Sequence, residues 1–123
     1  MAASSGLVMM DRVQGERVVN AQGADLGKID DLVVDLPTGQ AVYAILSHGG
    51  FISLGDKRFA VPWDMLAYDR ERGAFVIDMA EDKLKNAPGF DEASLQDIAD
   101  PRWAKPLHDY YGSRASWYLH TTA

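Results

Sequence analysis

The chain has no cysteine, which removes disulfides, thiol catalysis and thiolate metal sites together. It has no apolar run near the ~20 residues that a membrane helix requires. Residues 1–10 show neither the basic start nor the sustained apolar stretch of a secretory signal. A basic block is missing as well. Residues 1–80 carry 7 basic and 11 acidic groups and residues 81–123 carry 5 and 7, within a formal net charge of -6. A phosphate-backbone partner finds no electrostatic footprint here, and an anionic lipid surface is repelled. The expectation is a cytoplasmic protein with no nucleic-acid partner and no membrane insertion.

Catalytic and ligand-binding constellations are equally scarce. His48, His108 and His120 are scattered without ligand spacing, whereas a coordination site needs converging donors. Ser47 adjoins His48, but neighbouring strand residues point to opposite faces and make no nucleophile–base pair. Gly49-Gly50 and Gly55 precede neither a Gly-Lys-Ser/Thr run nor a helix start, so they form no phosphate loop. The chain is expected not to be an enzyme. No catalytic, cofactor-binding or metal residue is assigned.

What is present is a cadence. The 123 residues, 47% hydrophobic and 24% charged, suit one globular domain. Turns ending in Gly23, Gly39 and Gly73 separate short β-rich runs, as in an antiparallel meander that closes into a small barrel or roll. Asn20-Ala21-Gln22-Gly23 is a turn, and Leu36-Pro37-Thr38-Gly39 predicts another with Gly39 left-handed. Between them Leu26, Ile29, Leu32, Val34 and Leu36 cannot share one parity, which predicts a β-bulge near Asp30-Asp31. The run from Gln40 to Ser47 is apolar on both faces, so both should be covered. Phe59, Val61 and Trp63 alternate onto one face, and Pro62 ends that strand or places it at an edge.

After Met79 the period becomes helical. Residues 81–86 read as a short helix stopped by Ala87-Pro88-Gly89, and residues 91–98 as another. Asp100-Pro101 starts a third that ends at Gly112, with Trp103, Leu107, Tyr110 and Tyr111 on one face. Pro106 predicts a kink or restart within it.

In order and spacing the chain resembles the PRC-barrel family, named for the cytoplasmic domain of the photosynthetic reaction-centre H subunit. The residues that carry the likeness are Val19-Asn20, Gly23, Leu26-Gly27-Lys28-Ile29-Asp30-Asp31-Leu32-Val33-Val34-Asp35, Gly39, Tyr43-Ala44-Ile45-Leu46-Ser47, Gly49-Gly50-Phe51, Gly55-Asp56-Lys57 and Phe59-Ala60-Val61-Pro62-Trp63. The helical tail, with Asn86-Ala87-Pro88 and Asp109-Tyr110-Tyr111-Gly112, resembles that of small stand-alone bacterial members. The resemblance implies a mainly β fold: a small, strongly bent antiparallel β-barrel followed by short C-terminal helices. The expected organisation is a disordered tail at 1–11, the barrel at 12–80 and a helical extension at 81–123 that packs on the barrel or on a partner subunit.

The function implied is a non-enzymatic adaptor or assembly module, a homo-oligomer linked to reaction-centre-type complexes or to stress responses. The family shares no active site, so none is carried over. The candidate contact residues are Phe51, Ile52 and Leu54 in a glycine-flanked loop, and Trp103, Tyr110, Tyr111, Trp117 and Tyr118 in the tail. The tail aromatics have a plainer reading, packing on the chain's own barrel. The alternative function is a regulator that binds a small ligand or a divalent ion through Asp30, Asp31 and Asp35. The plainer reading of those three is a bulge plus solvated edge charges.

Overall fold

The computed structural model describes residues 7–47, 58–87, 89–90 and 101–112. Their elements are α1 (Met10–Val13), β1 (Arg17–Asn20), β2 (Asp25–Asp35), β3 (Gln40–Ser47) and β4 (Arg58–Pro62). A 3-10 turn (Trp63–Met65), β5 (Ala67–Asp69), β6 (Ala74–Ile77), α2 (Glu81–Lys85), β7 (Gly89–Phe90) and α3 (Pro101–Tyr111) follow. The strands form one sheet in the order β5-β6-β1-β2-β3-β4-β7. The mainly β reading with short helices after the strands therefore holds.

Local chemistry explains the ladder. Gly39, at φ 73°, closes the β2–β3 hairpin and its N–H bonds the Asp35 carbonyl at 2.7 Å. A side chain there would meet the left-handed penalty that glycine escapes. The parity slip in β2 is resolved as expected: Ile29 pairs with Leu46 and Asp31 with Ile45, leaving Asp30 as the extra residue. A second irregularity lies at Leu26, between the pairs Val18–Gly27 and Val19–Asp25, with Gly27 at φ 113°. These bulges bend β2, as an unpaired residue does.

One seam departs from the all-antiparallel expectation. β1 and β6 run parallel, with Val18 beside Phe75 and Asn20 beside Ile77. The cause is the turn at Trp63–Met65. The ladders β1–β2, β2–β3, β3–β4 and β5–β6 are antiparallel, so β4 and β5 must point the same way. The 3-10 turn shifts the chain sideways without reversing it.

The same turn requires the sheet to curl. In a flat sheet of this order β4 and β5 would lie about 24 Å apart at the usual strand spacing. Only Trp63–Leu66 separate them, and five Cα steps reach at most ~18 Å even when extended. No ladder joins β5 to β7 among the described residues. The sheet is thus curled, and among the described residues its hydrogen-bond ladder does not close, so the mainly β fold is shown and the closure of the expected barrel is not.

Pairing sets the faces. Ile29, Leu46 and Phe59 lie side by side across three strands, and Leu32, Ala44 and Val61 form the next row. Except for half-buried Leu32, these residues are fully or almost fully buried and belong to one core cluster. Burying each large side chain is worth about 1.5–3 kcal/mol. Tyr43 and Ile45 point to the other side of β3 and are buried too. Both faces of β3 are covered, as its composition predicted. β4 ends at Pro62, and Trp63 begins the turn, half-buried against Phe75 with ring centroids 5.6 Å apart.

The helix at 81–86 is present as α2, and α3 ends before Gly112 at φ 74°. The expected restart at Pro106 does not occur, and α3 runs through it. Pro106 is exposed while Leu107, His108 and Tyr111 are buried, so water can serve the carbonyl left without an N–H donor. The helix expected over 91–98 lies outside the described residues. α1 had no signal in the sequence; it places Val13 in the core.

Candidate interaction site

The three carboxylates of the ion-binding reading are directed to different tasks. Asp30, at the bulge, faces β4 across the sheet and binds Arg58, whose Nε lies 2.8 Å from its Oδ2. The carbonyl of Asp30 accepts from Gln14 Nε2 at 2.9 Å. Asp31 Oδ1 accepts the N–H of Leu32 at 2.8 Å, and Asp35 Oδ2 accepts the hydroxyl of Thr38 at 2.7 Å. No group of three or more histidine, aspartate or glutamate side chains converges among the described residues.

A polar clasp that the sequence did not reveal joins the ends of the parallel seam. Buried Asn20 accepts the N–H groups of Gln22 and Ala24 at 3.1 and 2.8 Å, shaping the β1–β2 turn. Arg72, from the β5–β6 turn, donates to the carbonyls of Asn20 and Ala21 at 3.2 and 3.3 Å. Asp69 holds Arg72 through its backbone N–H and side chain. The turn residues were legible, but nothing local couples them across fifty positions.

α3 is fastened to the body by its last two turns. His108 is 4% exposed, and its Nε2 shares a hydrogen bond with the Tyr43 hydroxyl at 2.9 Å. It is an internal tie between helix and sheet. Tyr110 is half-buried, donates its hydroxyl to the Lys83 carbonyl of α2, and lies beneath the Lys83 ammonium. Tyr111 is 5% exposed and meets Tyr110 edge-on at 5.4 Å. Its hydroxyl is buried without a hydrogen-bond partner among the described residues. Burial, and secondarily the neighbouring Tyr110, push its phenol well above the ordinary value.

Of the contact residues read from the sequence, the structure thus brings Tyr110 and Tyr111 together at the α2–α3 junction. Trp103 lies in the first half of α3. Phe51, Ile52, Leu54, Trp117 and Tyr118 lie outside the described residues, as do His48 and His120. A run missed by the sequence reading is exposed instead: Leu7, Val8, Met9 and Met10 are 55–78% accessible, and Leu36 and Tyr68 are exposed singly. Four consecutive apolar residues, Leu7-Val8-Met9-Met10, were the available signal.

The PRC-barrel domain family matches residues 10–84, more than half of the chain. The chain belongs to the PRC-barrel family. The match spans α1, every strand through β6 and most of α2, so α3 is an addition to the shared PRC-barrel part. No curated protein matches the chain. A crystal structure of a putative 16S ribosomal RNA processing protein, RimM, from Pseudomonas aeruginosa is similar at 21% identity and a TM-score of 0.43. The likeness covers 63% of this chain and 48% of that one, so the PRC-barrel chain spans about half of that protein's length. No described helix is long and apolar enough to cross a membrane.

Proposed function

We propose that this PRC-barrel protein is a non-enzymatic adaptor that works by protein contact, and that it self-associates. The observation that carries the reading is the exposed run Leu7–Met10, on a body whose buried polar side chains are engaged in holding turns and helices together. Contiguous exposed apolar surface marks contact sites. The curled sheet supports a barrel-like body for the adaptor, and the loop and tail residues Phe51, Ile52, Leu54, Trp103, Trp117 and Tyr118, with half-buried Tyr110, would extend the contact surface. Tyr111, whose bulk is spent in its own core, would contribute through its position beneath Tyr110. The adaptor role is placed in the cytoplasm, with reaction-centre-type complexes or stress responses as the settings that the family suggests.

Light scattering on a size-exclusion column tests the self-association at tens of micromolar. A dimer or larger species that dissociates when Val8 and Met9 are both changed to serine is expected. A clean monomer for the unaltered protein overturns the self-association. The divalent-ion reading is tested by a thermal-shift panel, and the separate engagement of Asp30, Asp31 and Asp35 leads us to expect no shift.

A further inference from the structure

Among the described residues β2 is paired on both sides only around Lys28 and Ile29. β1 accompanies it from Asp25 to Lys28, the segment before β1 adds bonds between Ile29 and residues Gly15 and Glu16, and Gln14 closes this side at the Asp30 carbonyl. Beyond the bulge, Asp31–Asp35 pair with β3 alone among the described residues, with a further register shift between Val33 and Val34 where Val42 is the extra residue of β3. Apart from that ladder, the backbone of residues 31–34 makes one described bond, from the Leu32 N–H to the adjoining Asp31 carboxylate. In an antiparallel strand alternate residues direct their N–H and C=O groups to opposite sides, so this stretch presents strand-bonding groups outward over about 17 Å. The terminal strands of the sheet are shorter, three residues in β5 and two in β7. Leu32, Val33 and Val34 are half-buried along it.

We propose that this outer edge of β2, from Asp31 to Asp35, is a docking edge for an extended basic peptide that joins the sheet as an added strand. Charge selects the occupant. Asp31, Val33 and Asp35 share one side of the strand by alternation, exposed Asp31 has no cationic partner among the described residues, and Asp35 is held by a hydroxyl. A second copy pairing antiparallel about Val33 would set Asp31 against Asp35 of the other chain twice, and like charges directly opposite repel. A peptide with Lys or Arg at the spacing of Asp31 and Asp35, and apolar or β-branched residues between, meets both carboxylates and the Leu32–Val34 surface. Main-chain bonds supply the adhesion and the charges the register, as in other strand additions. This surface is separate from the Leu7–Met10 run, so it stands or falls apart from self-association.

The test is titration of the full chain with a capped peptide of about nine residues centred on Lys-Val-Thr-Val-Lys, followed by amide NMR. Saturable shifts confined to residues 31–35 and their β3 partners are expected. N-methylation of alternate peptide amides should abolish them. Asp31→Asn with Asp35→Asn should weaken binding about tenfold. The paired variant Asp31→Lys/Asp35→Lys should lose the lysine peptide and accept its glutamate counterpart, a gain that an unfolded variant cannot show. The proposal is overturned if no peptide binds, if the N-methylated peptide binds equally well through general attraction to an acidic protein, or if the charge reversal leaves the preference unchanged. It is equally overturned if neutralising the two aspartates reveals a dimer paired through this edge, which would make a second copy the occupant.

Discussion

The two halves of β2 have the same length scale and similar chemistry but different surroundings. From Leu26 to Ile29 the strand is paired with β1 or the segment before it, and from Lys28 with β3 as well, and its apolar residues are almost completely buried. From Asp31 to Asp35 it has one strand partner among the described residues, and its apolar residues are only half-buried. The bulge at Asp30 divides them, and the Asp30–Arg58 pair anchors that division to β4. One strand can therefore serve as framework and as contact edge, provided that a local irregularity separates the two roles.

The most direct way to break the comparison is to shorten an apolar side chain in each half. Ile29→Ala should cost about 3 kcal/mol, because the site is closed on all sides and cannot collapse. Val33→Ala should cost about 1 kcal/mol or less, since water already reaches it. Urea unfolding checks both, and equal costs would erase the distinction. Next, Asn20→Ala removes the acceptor of two turn N–H groups beside the framework half and should cost about 2 kcal/mol.

Smaller effects sharpen the picture at α3. Tyr43→Phe removes the hydroxyl shared with His108 and should cost roughly 1 kcal/mol, more if the imidazole is left unsatisfied. Tyr111 gives a pH test. Burial raises its phenol pKa in the folded state, so above about pH 10 the unfolded chain ionises while the folded chain does not. The stability that Tyr111 contributes is complete below that pH and is lost as pH rises through it. Tyr111→Phe should flatten this alkaline loss in thermal melts at pH 9–11 and leave neutral stability unchanged or slightly higher, because its hydroxyl has no partner to lose. The smallest change is Asp30→Asn, which removes a half-exposed ion pair. It should cost a few tenths of a kcal/mol, a difference that shrinks in 1 M salt.

The parts of the fold that were legible in the sequence are those governed by neighbours in the chain. The parity slip located the Asp30 bulge, Gly39 and Gly73 located two hairpin turns, and the doubly apolar run 40–47 announced a strand covered on both sides. The residues of the PRC-barrel likeness identified the family from their order. The parallel β1–β6 seam, the Arg72 clasp and the His108–Tyr43 tie were not legible, because each joins positions more than fifty residues apart with no local signature. At Pro106 the restart, one of the two outcomes expected there, does not occur, for the opposite reason. Its local rule is sound, but the rule's force depends on which side of α3 faces water.

The parallel seam also has a consequence for how the protein is made. β1 is synthesised before its second strand neighbour, β6, which is complete only with Ile77. At ~5–20 residues per second, roughly 3–11 s pass between the emergence of Asn20 and that of Ile77. During that interval β1, whose Val18 and Val19 end nearly devoid of water contact, has β2 as its only paired strand among the described residues. The first strand of the chain is thus among the last to be enclosed, and a nascent chain halted before Ala74 should present it to chaperones.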